Sequence, residues 1–339
     1  MSSKNFTFIY KVLVGFLVSC ILFLLLKIFH ISLTTVTTIF VGTYLQAIPF
    51  LFMGILLSSA IQVFVSSDLI ERVFPKNLTL GMLFGVLGGF CLPVCDCVSI
   101  PVFRSLVKKG VPLPAAVVFM TAAPVINPVV MLSTYHAYNG NVKVVLARVL
   151  LGIVCSLLIG FCFAKEKHSI LLDSNHIHTC SCGCHSHNHC HNSDHSHIER
   201  HNKLKEFIAH SKEEFFEIGK YLIIGIGVST LFQIILGNNL VLKEKFNLPI
   251  SLLVMMVLAF LLSLCSSSDA IVSKGLGANF PFGASMGFMV FGPMMDIKNI
   301  ILMSNLFSKK FIFKLIFLSF SICFAVVYMA SVLGLEVIL

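Results

Sequence analysis

Apolar residues run in long blocks separated by short polar connections along almost the whole chain. Blocks near 9–29, 36–65, 78–103, 112–135, 143–164, 215–237, 248–265, 281–304 and 311–334 approach the roughly 20 residues needed to cross about 30 Å of hydrocarbon. Such blocks predict helices, because in lipid a segment must satisfy its own backbone hydrogen bonds. The first block, Val12 to Leu26, follows Lys4 and Lys11 and resembles the apolar core of a signal peptide. Lys27, Ile28, Phe29 and His30 then stand where a small-residue cleavage site is expected, which predicts a retained span over 1–30. The longest polar interruption, 165–213, separates two hydrophobic halves, 36–164 and 214–339.

The halves resemble each other. FLFMGILLSSAIQVF around Gly54 matches YLIIGIGVSTLFQII around Gly225, bringing Ser58 onto Ser229 and Gln62 onto Gln233. Further on, Pro112, Ala115, Phe119, Met120 and Pro124 match Pro281, Ala284, Phe288, Met289 and Pro293. Cys95 matches Cys265, and Asn127 matches Asp296. Any two apolar segments share Leu, Ile and Val by chance, but coincidences at Gln, Pro, Cys and Asn/Asp predict an internal repeat.

The third block carries Pro93, Pro101 and a CDC triplet at its centre. It reads either as one broken span or as a re-entrant hairpin. Charge separates the two. If 78–107 and its counterpart 250–274 are re-entrant, Lys4, Lys11, Arg72, Lys76, Lys108, Lys109, the His/Cys-rich loop 165–213, Lys309, Lys310 and Lys314 all face the cytoplasm, as the positive-inside rule favours. Each half then crosses three times, so the repeats are inverted. Irregular backbone at membrane depth is tolerated where it is buried in protein or lines a cavity.

Composition agrees. Charged residues are 12% of the 339, against about 25% in ordinary globular chains, and 57% are hydrophobic. The formal net charge of +9 invites a nucleic-acid reading, but most Lys and Arg lie in the short connections, which argues against it. The expected fold is therefore an all-α, polytopic transmembrane helical bundle, and the lipid bilayer is its first partner.

Chemistry concentrates in four places. At CLPVCDC, Cys91, Cys95 and Cys97 flank Asp96 where proline breaks the helix, and thiolates there suit Cu(I), Zn(II) and other thiophilic species. LCSSSDA in the second half brings Cys265 and Asp269. Ionisable groups inside a membrane usually face a cavity or a partner. That makes Asp96, Asp269 and Asp296 candidates, unless Asp269 merely pairs with Lys274 and Asp296 with Lys298 near an interface. AAPVINP and FGPMMD place Asn127 and Asp296 three residues after a proline, where broken helices offer oxygens to a path. Cys20, Cys155, Cys162 and Cys323 sit alone on apolar runs and read as small hydrophobes.

The fourth place is TCSCGCHSHNHCHNSDHSH, with Cys180, Cys182, Cys184, His185, His187, His189, Cys190, His191, His195 and His197. The ligands are too dense and irregular for a zinc finger, and the stretch reads as a multi-ion segment binding zinc or copper. No phosphate-loop, HExxH or GxSxG signature appears, so the chain reads as a transporter rather than an enzyme, needing no cofactor of its own.

The segment CLPVCDCVSIPVFRSLVKKGVPLPAAVVFMTAAPVINP, with the later GPMMD, resembles the ArsP/YraQ-type permease family over about 36–335. That resemblance implies a multi-pass efflux permease of the cytoplasmic membrane. Within the family, CDC plus the His/Cys-rich stretch is more similar to the branch associated with copper and zinc export than to the branch associated with trivalent organoarsenicals. The combined expectation is export of a thiophilic metal or metalloid ion, with Cys95 and Cys97 as ligands, Asp96 or Cys265 completing the site, Asn127 and Asp296 lining the path, and self-association into a homo-oligomer possible. A membrane thiol-redox protein and a metal sensor are the competing readings.

Overall fold

A computed structural model describes residues 33–64, 77–92, 94–165, 196–239, 247–277 and 280–335. The run at 9–29, Pro93 and the stretch from Cys180 to His195 lie outside them, while His197 falls on the first turn of a helix. The regular elements are helices: α1 (Leu33–Phe64), α2 (Leu78–Cys91), α3 (Asp96–Lys108), α4 (Leu113–Ile126), α5 (Pro128–Ala137) and α6 (Val142–Cys162) before the His/Cys-rich stretch. After it come α7 (Ser196–Asn239), α8 (Leu248–Leu262), α9 (Asp269–Gly277), α10 (Phe282–Met294), α11 (Ile297–Ser304) and α12 (Lys309–Ala330). The order is the same on both sides: a long helix, two short ones, a pair split by one or two residues, and a long helix.

Six segments among the described residues are long and apolar enough to cross a membrane: Thr34–Val63, Leu113–Ala137, Val142–Cys162, Phe207–Ile234, Phe282–Ser304 and Lys309–Gly334. The chain is a multi-pass membrane protein. The third block divides into α2 and α3, and its counterpart into α8 and α9. At 1.5 Å per residue none of these four reaches about 30 Å, so none crosses alone. The chain breaks between them fall on the CDC and SSSD elements.

The split pairs α4–α5 and α10–α11 are spans interrupted after an internal proline, Pro124 and Pro293. Proline removes a helical hydrogen bond and crowds the preceding turn, which ends α4 and α10 within a few residues. Every residue of α4 is buried, so this helix meets protein on all sides. Both α2 and α3 pack on it, as do α6 and α10. Close approach depends on small residues, as is usual where lipid supplies no hydrophobic drive between helices. A methyl group on Gly85 of α2 would stand 2.5 Å from the Ala115 carbonyl oxygen of α4, so only glycine fits. The halves also meet through rings: Phe311 of α12 stacks on Phe103 of α3 at 5.9 Å and meets Phe163 edge-on at 5.4 Å. The outer faces expose Leu45, Phe52 and Met53 of α1 and Phe313 and Phe317 of α12, which suits lipid contact.

Candidate functional site

The two chain breaks start their following helices in the same way. In the first, Cys95 is the N-cap of α3, and its carbonyl accepts from the Val98 and Ser99 amides at 3.2 and 3.0 Å. In the second, α8 ends at Ser263 in the left-handed region (φ 49°), and the Cys265 carbonyl accepts from the Ser268 and Asp269 amides at 2.8 and 3.1 Å. Matching cysteines thus use their backbones to begin a helix, and neither thiol is committed to a helical face.

The prolines and the Asn/Asp three residues later work together. α4 runs past Pro124 to Ile126, and Asn127, extended before Pro128, then caps α5, its Oδ1 accepting from Val130 N at 2.9 Å. In the second half Asp296 caps α11, with Oδ1 accepting from Asn299 N at 2.6 Å. Asn and Asp are favoured at this position because the side-chain oxygen satisfies an orphaned amide. Asn127 also donates from Nδ2 to the Val94 carbonyl at 3.0 Å, fastening the α4–α5 break to the CDC break.

Between the breaks lies a cavity of about 10 Å³, room for roughly one water. Cys95, Asn127, Cys265, Ser266 and Ser267 line it, together with Phe50, Val129 and Val130. Three residues expected on the path, one pair from matching positions, therefore converge on one point. Cys97 is buried beside Asp96, its Sγ donating to Oδ2 at 3.7 Å. Cys91 does not join them: it ends α2 and is exposed. Among the described residues no three His, Cys, Asp or Glu side chains are arranged to hold a metal ion. The convergence is of two thiols with hydroxyl and amide groups.

Asp96 is fully buried and meets Lys298 of α11, whose Nζ stands 2.9 Å from Asp96 Oδ2 and 3.5 Å from Asp296 Oδ2. The Ser263 carbonyl accepts from the same ammonium at 3.3 Å. Lys298 does face Asp296, but at 3% exposure, deep in the bundle rather than near an interface. Gly225 of α7 makes room for it: a methyl group there would stand 3.1 Å from Lys298 Cγ and 3.3 Å from its Cα.

Asp269 sits apart from this cluster. Arg148 of α6 holds it from both Nη atoms, at 3.1 and 2.7 Å, and also donates to Thr134 Oγ1 at 2.7 Å. The pairing of Asp269 with Lys274 does not form; Lys274 donates instead to Asn139 Oδ1 at 3.0 Å. Sequence reasoning missed Arg148 and gave Lys298 no part in the site. The available signal was a lone cation inside each apolar block, and buried carboxylates that need a partner.

A third polar cluster joins α1 to α7. Buried Glu214 accepts from Ser58 Oγ at 2.8 Å and Ser59 Oγ at 3.4 Å, and Gln62 donates to Ser105 at 2.9 Å. The matching Gln233 and Ser229 bind the Leu262 carbonyl at 3.1 and 2.7 Å. Cys155 and Cys323, which stand alone on their runs, are fully buried close to each other, and the Cys323 thiol donates to Met294 Sδ at 3.6 Å.

Comparison with known proteins agrees with this architecture. A family model described as "Predicted permease" (ArsP_1) matches residues 32–332. The UPF0718 protein YcgR of Bacillus subtilis (strain 168) is 41% identical over 287 residues, covering 84% of this chain and 93% of that protein. A Streptococcus mutans serotype c protein named "Putative two-component membrane permease complex subunit" is 32% identical over 280 residues, covering 82% and 89%. A UPF0718 protein of Methanocaldococcus jannaschii is 29% identical over 112 residues, 32% of this chain and 30% of that protein. No solved structure matches. The chain belongs to the ArsP-type family of predicted permeases, which are transporters rather than enzymes.

Proposed function

We propose that this permease exports a thiophilic ion, Cu(I), Zn(II) or a trivalent arsenical, across the cell membrane through the centre between its two chain breaks. The observation that carries the reading is the small cavity lined by Cys95 and Cys265. Each thiol comes from a chain break that leaves it off any helical face, and sulfur is the donor these ions prefer. Asn127 lines the same cavity, and Asp96 and Asp296 lie beside it on the Lys298 cluster. The recurring element order supports two inverted halves, the arrangement in which broken helices meet at mid-membrane.

The His/Cys-rich stretch captures ions on the cytoplasmic side and raises their concentration at the entrance. The name of the Streptococcus relative supports a second subunit working with this one, which supplies or regulates the driving force that the chain does not obviously carry. Burial of Cys95 and Cys97, at 7% and 5% exposure, disfavours the thiol-redox reading, which needs an accessible thiol.

The test is uptake into inside-out vesicles offered Cu(I), Zn(II) and a trivalent arsenical in parallel, with Cys95→Ser alongside. Uptake of one ion that the serine variant loses is the expected result. Absence of uptake of all three by folded protein, with any partner subunit co-expressed, overturns it.

A further inference from the structure

The Lys298 ammonium is bound as an ion would be. Three oxygens surround it, from Asp96 at 2.9 Å, Ser263 at 3.3 Å and Asp296 at 3.5 Å, and they come from three separate segments of the chain. Its tether is short, starting two residues after Asp296, and Gly225 keeps the space beside its stem. The cluster is also richer in acceptors than one ammonium can use. Asp96 Oδ1 and Asn299 Oδ1 are buried with no hydrogen-bond partner among the described residues, and Asp296 Oδ2 has only its ion pair with Lys298 at 3.5 Å. Buried acceptors without donors are costly and rare in folded proteins. Two formal negative charges and one positive leave the cluster with room for a cation.

Resting on the function proposed above, we propose that Lys298 is a tethered stand-in for the cargo: its ammonium occupies the oxygens of Asp96 and Asp296 until a metal cation displaces it. The cargo class is then a cation rather than a neutral trivalent arsenical, because only a positive charge competes for the two carboxylates. Cys97, whose thiol touches Asp96 Oδ2, adds sulfur on one side, and Cys95 and Cys265 lie at the adjoining cavity. The two carboxylates are thus never left bare, because the ammonium and the metal ion occupy them in turn.

The proposal predicts opposite effects of two substitutions in the purified full chain. With the lysine charge removed, in Lys298→Gln, no internal competitor must be displaced, and Zn(II) or Ag(I) (a stable surrogate for Cu(I)) should raise the melting temperature at concentrations about ten-fold lower than in wild type. Arginine keeps the charge and grips carboxylates at two points, so Lys298→Arg should need about ten-fold more metal. Adding Asp96→Asn to Lys298→Gln should cancel the gain. The His/Cys-rich stretch is common to all four proteins, so differences between them report the bundle. A trivalent arsenical should act on wild type and Lys298→Gln alike.

Unchanged or weaker metal response in folded Lys298→Gln overturns the proposal, as does a gain that survives Asp96→Asn. An equal gain for the arsenical overturns the assignment to cations. If Lys298→Gln does not fold, Lys298→Arg decides, and an undiminished metal response there overturns the idea. These readouts need no transport, so they stand apart from the vesicle assay that tests the function itself.

Discussion

Arg148 grips Asp269 with both ends of its guanidinium, joining the last long helix of the first half to the broken segment of the second. Asp96 and Lys298 make the reciprocal join, an acid in the first half's broken segment held by a base of the second. Each chain break is thus neutralised from across the bundle.

Removing one partner of such a pair leaves a buried charge uncompensated. Arg148→Met should destabilise the protein by about 3–5 kcal/mol. Arg148→Met combined with Asp269→Asn should recover much of that loss. Thermal unfolding in detergent, read for both variants, checks the order. Equal stability of the single and double variants would contradict the pairing.

Asn127 performs two tasks that substitution can separate. Asp in its place keeps the cap on Val130 but loses the donor to the Val94 carbonyl; Ala loses both. Asn127→Ala should cost about 1 kcal/mol for the cap and about 1 kcal/mol more for the bond to Val94. Asn127→Asp should lose transport with the cap kept, seen as a transport rate that falls further than stability does.

The cysteines divide by position. Cys95→Ser and Cys265→Ser should each reduce transport at least about ten-fold by removing a sulfur donor from the shared cavity. Cys91→Ser should leave transport within about two-fold, since an exposed side chain away from the cavity contributes little. Vesicle uptake with the three variants side by side decides it.

Two glycines on one helix should respond differently to alanine. At Gly85 the new methyl group meets the Ala115 backbone at 2.5 Å, whereas at Gly88 it meets the Phe119 ring at 3.4 Å. Gly85→Ala should destabilise by about 1–3 kcal/mol through overpacking. Gly88→Ala should be near neutral or slightly stabilising, because alanine is the better helix former by about 1 kcal/mol. Melting temperatures of the two variants make the comparison.

Much of this was legible in the chain. The proline followed by Asn127 or Asp296 marks a split span because proline ends a helix and Asn or Asp starts one, both effects being local. The CDC and SSSD elements are legible as interruptions for the same reason. Lys298 was not, because its principal partner Asp96 belongs to the other half and only the folded bundle brings them together. Nearby Asp296 offered a simpler local explanation for it. Arg148 drew no reading of its own from the chain, because Thr134 and Asp269, which hold it in the interior, are likewise remote. Cys155 and Cys323 each look solitary on their helices, and their meeting depends on how α6 and α12 cross.

The cavity between Cys95 and Cys265 has a consequence for which ions can use it. A space that holds one water has no room for an ion that keeps its hydration shell. On the export route proposed above, an ion held here would trade its water for the sulfur, hydroxyl and amide groups within reach. Magnesium, which sheds water reluctantly, would be a poor cargo for that exchange, and a soft ion that accepts thiolate a good one. Under that proposal the centre would sort ions by the strength with which they hold water as well as by their affinity for sulfur.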